Sequence, residues 1–395
     1  MKKKIIFMLI NMNIGGTEKA LLNMIEELSR KSFDITILLL EQKGDFITSI
    51  PKDVKVEYFK GYESIKNTLK KPLHLVAIDL FYKRKIIKAL TILFIYSVCK
   101  IRNDRRYLFK YLLRNYERTA CEYDVAVAYA GPMDLISYFV INKIKAKKKL
   151  QWVHFDISKI GFNNYFASKI YKEFNKIFVV SEKAKDKLVS TLPELEDKIE
   201  TFTNIVSSKM ILKMANEGEG FRDNYNGLRI LTVGRLSKEK GQDLIIKVLA
   251  KLKEAGYEVR WYCLGDGQAR SEYELLIKEY KVESDFILLG AKTNPYPFMK
   301  ECDIYVQPSR HEGYCITLSE ARCFNKPIIC TNFTGSSEQI SQYETGIIVD
   351  FNEGKLFSAV KEIIDNKNLR NKIKGNLEKE LIETVNEIDK LIQLV

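Results

Sequence analysis

Short unbroken apolar runs recur along this chain, and the longer stretches between them carry apolar positions every three or four residues. Runs of that length suit strands buried on both faces of a parallel sheet, and the spacing between them suits helices with one apolar face. In the first half, strands are predicted at Ile5–Ile10, Asp34–Leu40, Val54–Phe59, Asp124–Tyr129, Leu150–Phe155 and Ile177–Ser181. A second alternation predicts strands at Arg229–Gly234, Val259–Gly265, Phe286–Gly290, Ile304–Pro308, Pro327–Thr331 and Ile347–Asp350. A polar stretch with several glycines separates the two, running past Asn204 to Gly227. The pattern predicts two α/β domains, 1–205 and 228–375, with a linker at 206–227 and their ligand residues on facing edges of a cleft. The lysines and apolar run at the start imitate a secretion signal. The run is short, however, and leads into Asn11-Met12-Asn13 and a glycine turn, so it reads as a first buried strand.

Candidate chemistry concentrates in the second half. After the strand ending at Pro308, a break at Pro308-Ser309 leads into His311–Arg322, where a helix is predicted to start near Cys315 or Ile316. Its free backbone N–H groups offer an anion site. Glu312 lies on the loop before it and Glu320 about a turn inside, so both can line one cavity at the carboxyl end of the strand. A phosphate on the helix start, with carboxylates on either side to accept hydroxyl hydrogen bonds, suits a nucleotide bearing a sugar. Upstream, the strand ending at Gly234 is followed at once by Arg235, and Lys240-Gly241 leads into an amphipathic segment from Gln242 to Leu252. Gly234 permits a tight turn, Arg235 makes forked bonds to phosphate, and Lys240 adds a movable charge. In the first half, Gly15-Gly16 precedes a helix predicted from Thr17, letting backbone approach a donor phosphate or an acceptor. His154 ends the Leu150–Phe155 strand on the carboxyl edge, and Asp156 and Asn204 are lesser candidates near the same cleft.

Gly15-Gly16, Gly234-Arg235 with Lys240-Gly241, and Glu312 spaced by seven residues from Glu320-Ala321 make the chain similar to the retaining glycosyltransferases of family 4. The resemblance runs from the first strand to about Asp350. It implies the GT-B fold, two Rossmann-like domains facing a central cleft. In that fold the last helix crosses back to the first domain, which Asp365–Val395, and 376–395 in particular, would do here. It also implies transfer of a hexose from a nucleotide donor with retention at the anomeric carbon. Arg235 and Lys240 would hold the diphosphate, Glu320 the ribose hydroxyls, and Glu312 the donor sugar, which His154 would also touch. Backbone groups of Gly313, Tyr314, Cys315 and Ile316 would lie near the sugar or the distal phosphate. Gly15, Gly16 and Gly234 would line the donor site, Lys292 would sit in the segment meeting the base, and Gly335-Ser336-Ser337-Glu338 resembles a loop near the donor. His154, Arg235, Lys240 and Glu312 are then the catalytic set. Front-face attack, with the leaving diphosphate taking the acceptor's proton, needs no separate base. Two positions depart from the family: Cys315 and Asn325 each stand where glycine is usual. Asn is the residue that best tolerates a left-handed cap.

No Asp-x-Asp triplet occurs, and three histidines exclude a His-rich metal site, so neither metal nor cofactor is expected. The seven cysteines are scattered without a Cys-x-x-Cys pair, as in a reducing cytosol. The net charge of +13 sits in the first half, where residues 51–150 carry 22 basic against 9 acidic side chains. Within it, residues 81–118 join an apolar run, Ile86 to Cys99, to flanking lysines and arginines and to Tyr107, Phe109, Tyr111 and Tyr116. The run is too short to span a bilayer, and the mixture describes an in-plane helix on an anionic membrane.

These features predict a peripheral enzyme on the cytoplasmic face of a plasma membrane. It would move a sugar, from a UDP donor by default, to a lipid-linked saccharide for capsule or another surface polysaccharide. A lysine- and isoleucine-rich composition hints at an AT-rich bacterial genome. Competing readings are a nucleotide-sugar 2-epimerase of the same fold, a basic nucleic-acid-binding protein, and a non-catalytic partner. The first has no need of the basic insertion, and the other two leave the glutamate and Arg/Lys pairs unexplained.

Overall fold

Two parallel sheets, one in each half of the chain, carry the architecture. The computed structural model describes residues 2–29, 33–159, 161–380 and 382–395. The first sheet contains β1 (Lys3–Leu9), β2 (Phe33–Leu39), β3 (Lys55–Tyr58), β4 (Tyr123–Ala128), β5 (Ala146–Val153), β6 (Lys176–Val179) and β7 (Ile199–Thr201), in the order β3-β2-β1-β4-β5-β6-β7. The second contains β8 (Leu228–Val233), β9 (Val259–Leu264), β10 (Phe286–Gly290), β11 (Ile304–Gln307), β12 (Ile328–Thr331) and β13 (Ile347–Val349), in the order β10-β9-β8-β11-β12-β13. This is the GT-B arrangement.

Side-chain alternation explains the unbroken apolar runs. Ile5, Phe7 and Leu9 enter one core with Leu21 and Ile25 of the Gly16–Ser29 helix. Ile6 and Met8 enter a second core on the opposite face with Ile136 and Val140 of the Asp134–Lys143 helix. A strand covered on both faces has no side on which to show polar residues. In each sheet the order reverses at one place, between β1 and β4 and between β8 and β11. Helices leave opposite faces there and open a crevice at the carboxyl ends of the strands.

The structure corrects the sequence reading in five places. β7 was not anticipated, and β5 begins at Ala146, taking in lysines whose ammonium groups are held locally: Lys147 by Asp124 at 2.7 Å and Lys149 by the Ile141 carbonyl at 2.6 Å. The expected linker contains a helix, Ser208–Asn216, whose Ile211 and Ala215 join the second domain's core. The expected C-terminal helix is two pieces. Lys367–Leu377 packs in the second domain through Ile373 and Leu377, and Ile388–Ile392 places Ile388 and Leu391 in the first domain's core. The chain crosses between them beside the first crossing: Ser207 pairs with Glu383 in an antiparallel bridge, and the Thr384 amide and hydroxyl donate to the carbonyls of Val206 (3.2 Å) and Asn204 (2.7 Å).

The basic insertion is the fifth correction. It is a helical hairpin, Leu73–Tyr82 and Ile86–Arg102, followed by a short helix, Arg106–Leu112. The aromatic residues expected to face lipid are largely engaged elsewhere. Phe109 is buried in the core, and Tyr116 bonds Gly61 and packs on Phe59. Arg105 and Arg106 pair with Asp134 and Asp104. The exposed apolar surface lies on the hairpin instead. Ala89, Ile92 and Ile95 turn inward, while Tyr82, Ile87 and Phe94 are 86%, 83% and 69% exposed, beside exposed Lys83, Arg84, Lys85 and Lys88. No helix among the described residues is long and apolar enough to cross a membrane.

Candidate functional site

The two motifs of the second domain meet at their side chains. Gly234 follows β8, and its amide bonds the Leu264 carbonyl at 3.0 Å. The turn beyond it closes at Gly241, whose φ is 73° and where a β-carbon would lie 2.1 Å from the Pro308 carbonyl oxygen. Glycine is required there on both counts. The Gln242–Glu254 helix then starts, and buried Gln242 donates back to the Arg235 carbonyl at 3.0 Å, fixing the loop. Lys240 reaches across to β11's loop, its Nζ 2.5 Å from Glu312 Oε1. Glu312 also accepts from Ser309 at 2.7 Å, and Ser309 from Gln307 at 2.9 Å, so the strand end orients the carboxylate. Burial alone would lower the Lys240 pKa, but the nearby Glu312 carboxylate outweighs it and raises it. Arg235 is exposed beside this pair, and among the described residues no ion pair holds its guanidinium.

The Ile316–Arg322 helix begins where expected. Cys315 ahead of it takes a left-handed φ of 68°, as does Asn325 at 53°, so both glycine substitutes adopt a glycine-like backbone. Burial pushes the Cys315 thiol up to about 12, which removes it as a nucleophile. Glu320 is buried, accepting from the Tyr296 hydroxyl at 2.8 Å. Burial raises its pKa, and Lys19 of the first domain opposes that.

The first domain forms the opposite wall. A β-carbon on Gly16 would lie 3.4 Å from Ile316 Cγ2, so the Gly16–Ser29 and Ile316–Arg322 helices begin face to face. Gly313 packs on the end of β5: a β-carbon there would sit 2.1 Å from the His154 carbonyl oxygen. Burial drives the His154 imidazole down to about 3 despite a hydrogen bond with the Tyr129 backbone, so it stays neutral at physiological pH. Its Nε2, the Tyr129 hydroxyl and Trp152 Nε1 are buried without hydrogen-bond partners among the described residues.

The other expected residues are placed as follows. Asp156 fastens the domains together, accepting from Lys187 of its own domain and from Thr334 of the other at 2.6 Å. Burial raises its pKa, but the bonds from Lys187, Thr334 and Ser158 prevail and bring it to about 2. The Gly335–Glu338 loop is committed to the same seam: Glu338 accepts the amides of Glu182 (3.1 Å) and Lys183 (3.0 Å), and Ser337 accepts from Lys183 at 2.6 Å. Asn204 stands at the crossover. Lys292 is exposed and lines a cavity of about 640 Å³ with Phe221, Ile287, Leu289 and Phe298. No hydrogen bond or ion pair among the described residues joins it to Arg235, Lys240 or Glu312. Residues missed from the sequence are Glu18 and Lys19, on the first turns of the Gly16–Ser29 helix. Their types gave no signal, because an acidic residue in a helix's first turn is ordinary. The described residues contain no cluster of three or more potential metal ligands.

Comparison with known proteins agrees with this geometry. Residues 219–380 match the family model described as glycosyl transferases group 1. An N-acetylgalactosamine-N,N'-diacetylbacillosaminyl-diphospho-undecaprenol 4-alpha-N-acetylgalactosaminyltransferase of Campylobacter jejuni is 29% identical over 54% of this chain and 57% of its own. The capsular polysaccharide biosynthesis glycosyltransferase CapM of Staphylococcus aureus is 26% identical over 51% of this chain and 55% of its own. The chain thus spans little more than half the length of these curated relatives. Among solved structures, Anabaena HepE in complex with UDP superposes with a TM-score of 0.68 at 16% identity, covering 99% of this chain and 98% of that one. A glycosyltransferase from Rickettsia africae gives 0.67 at 16% identity, over 100% and 97%. These likenesses show the fold.

Proposed function

We propose that this chain, which has the GT-B fold and matches the group 1 glycosyl transferase model over residues 219–380, is a retaining, metal-independent glycosyltransferase. It moves a sugar from a UDP donor to a lipid-linked saccharide in surface-polysaccharide synthesis. The observation that carries the reading is Arg235, exposed and without an ion pair among the described residues, beside the Lys240–Glu312 pair in a crevice walled by both domains. Two cations and the amides before Ile316 stabilise charge building on a leaving diphosphate, and Glu312 accepts hydroxyls of the donor sugar. The leaving diphosphate takes the acceptor's proton as the new bond forms on the same face. HepE has been solved with UDP and with UDP-glucose, and the names of the C. jejuni and S. aureus relatives specify a lipid-linked and a capsular product. They support the choice of donor and acceptor class.

The hairpin at Leu73–Arg102 serves as the membrane contact on the cytoplasmic face. Its exposed isoleucines and aromatics sit beside exposed Lys83, Lys85 and Lys88, the chemistry of an in-plane anchor on anionic lipid.

The test is thermal stabilisation by UDP, GDP, ADP and their sugars without metal, since a ligand of the folded state raises Tm by mass action. A shift with UDP that disappears in Arg235→Ala is expected. Absence of any shift removes the donor site and the reading with it.

A further inference from the structure

One cation in the crevice has no part in the donor site just described. The Gly16–Ser29 and Ile316–Arg322 helices begin face to face, with a β-carbon on Gly16 3.4 Å from Ile316 Cγ2. Residues three and four positions apart share one face of a helix. Lys19, three on from Gly16, and Glu320, four on from Ile316, are therefore carried toward the same interior from opposite domains. Tyr296, at the start of the Tyr296–Glu301 helix, lies between them. The Lys19 Nζ sits 5.2 Å from the centroid of the Tyr296 ring, and the hydroxyl of that ring donates to Glu320 Oε1 at 2.8 Å. A cation within about 6 Å of a ring centroid is attracted to the face of the ring. Through one tyrosine, a first-domain cation reaches a second-domain carboxylate.

Burial gives this contact its weight. Tyr296 and Glu320 are buried, while Lys19 is half-buried, and among the described residues its ammonium group makes no hydrogen bond or ion pair. A cation drawn out of water without a bonded partner is costly unless a nearby charge compensates it. Glu320 is that charge. Burial raises the Glu320 pKa, and the Lys19 charge is the foremost influence against it, ahead of the Tyr296 bond. The other titratable groups around Glu320 are Tyr305 of β11 and Cys323 beyond its own helix, and burial keeps both neutral, as it keeps Tyr296. Arg322, two positions on from Glu320, is committed to Glu380 at 2.6 Å.

A ribose presents adjacent hydroxyls. An ionised carboxylate accepts hydrogen bonds from both, whereas a protonated one must donate and accepts less well. We propose that Lys19 is a positioning residue for ribose recognition: across the seam, through the Tyr296 ring and its own charge, it holds Glu320 ready to accept the ribose hydroxyls. This rests on the glycosyltransferase reading, in which Glu320 takes the ribose, and adds the residue that makes that grip depend on both domains. When the crevice opens, Lys19 leaves with the first domain and Glu320 keeps Tyr296 alone. The nucleoside is then held firmly in the closed arrangement and released more easily from the open one. Discrimination between ribose and deoxyribose is accordingly a property of the seam, not of the second domain by itself.

The experiment titrates the full chain calorimetrically with UDP and with 2'-deoxy-UDP at pH 5, 6.5 and 8. The wild type should prefer UDP by about tenfold, the worth of one hydrogen bond to a charged acceptor. Lys19→Met keeps the side chain's length and removes its charge. It should lower UDP affinity about tenfold and 2'-deoxy-UDP affinity much less, so that the preference collapses. Lys19→Arg should keep most of it. Without Lys19, Glu320 takes up a proton at a higher pH, so UDP binding by Lys19→Met should weaken on acidification where the wild type still holds. In a Glu320→Gln background, Lys19→Met should change UDP affinity by less than about twofold, because the residue it acts through is gone. Equal weakening of both nucleotides overturns the inference and places Lys19 on the phosphates. So does an unchanged preference in Lys19→Met, or an undiminished effect in the Glu320→Gln background. A wild type that binds both nucleotides alike also overturns it, leaving the UDP site standing. A wild type that binds neither defeats the glycosyltransferase reading itself. The preference is a ratio within one variant, so a lowered melting temperature does not disturb it, and Lys19→Gln takes the place of Lys19→Met should the latter fail to fold.

Discussion

Lys240 and Glu312 come from different strand ends and meet as an ion pair, with Nζ and Oε1 2.5 Å apart. Each is therefore part of the other's setting, and their replacements have opposite consequences for nucleotide. Lys240→Ala removes a cation and strands a carboxylate that is 10% exposed. It should cost about 2 kcal/mol of stability, between the values for exposed and fully buried pairs, and weaken UDP binding. Glu312→Gln frees the ammonium, so UDP affinity should hold or rise while transfer falls about a hundredfold or more. Calorimetric titration of both variants with UDP checks this; equal weakening would mean that the two residues do not divide the donor between them.

Gly313 is the point where the second domain touches the end of β5. With a β-carbon 2.1 Å from the His154 carbonyl oxygen, Gly313→Ala forces backbone away from backbone, and no side chain can yield instead. The expected outcome is a more open molecule by small-angle scattering, with loss of transfer and about 1–3 kcal/mol of stability. An unchanged scattering profile with full activity would show that the seam tolerates the shift.

Two groups in the crevice give stability opposite pH dependences. His154 has its pKa depressed from 6.5 to about 3, so as pH falls below 6.5 the unfolded chain takes up a proton that the native state refuses, and stability is lost. Glu18 is raised from 4.5 to about 7, so between those values the native state holds the extra proton and stability is lost as pH rises. Each is worth about 2 kcal/mol between pH 5 and pH 7, with opposite sign. Wild-type stability should therefore change little from this pair across that range. Glu18→Gln should be more stable than the wild type at pH 8 by about 1–3 kcal/mol and should lose stability on acidification. Urea melts at pH 5, 6.5 and 8 measure both.

The hairpin prediction separates surface from core. Ile87 and Phe94 are 83% and 69% exposed, so Ile87→Ser with Phe94→Ser should alter folding stability by no more than about 0.5 kcal/mol each. Retention on anionic vesicles should fall sharply, and Lys85→Glu with Lys88→Glu should remove about 1 kcal/mol of binding per charge. Flotation with vesicles rich in phosphatidylglycerol reads the difference; undiminished binding would place the membrane contact elsewhere, and a wild type that does not float would remove it.

The strands were legible because the part of a strand buried on both faces is apolar, as Ile5–Leu9 of β1 and Val125–Ala128 of β4 are. β7 has three residues, two of them Glu200 and Thr201, and too little pattern to register. The Ser208–Asn216 helix was hidden because its two buried residues, Ile211 and Ala215, sit in a polar stretch. Arg235, Lys240 and Glu312 were legible because glycine turns and charges at strand ends are unusual together. Glu18 was not, since the burial that raises its pKa comes from parts of the fold distant in sequence. The basic insertion misled for a related reason: Phe109 and Tyr116 look like lipid-facing aromatics until the fold supplies a core for them.

The paired crossings at Ser207 and Glu383 limit how the domains can move. A single tether would leave three rotations free. Two tethers fastened side by side, with Thr384 bonded to the carbonyls of Asn204 and Val206, leave bending about that point as the easy motion and resist twist. Opening the crevice then breaks the bonds of Glu338 and Thr334 across the seam and leaves the hinge intact. Each reclosure would return the starts of the Gly16–Ser29 and Ile316–Arg322 helices to the same facing positions, so the two walls keep their alignment through the hinge itself.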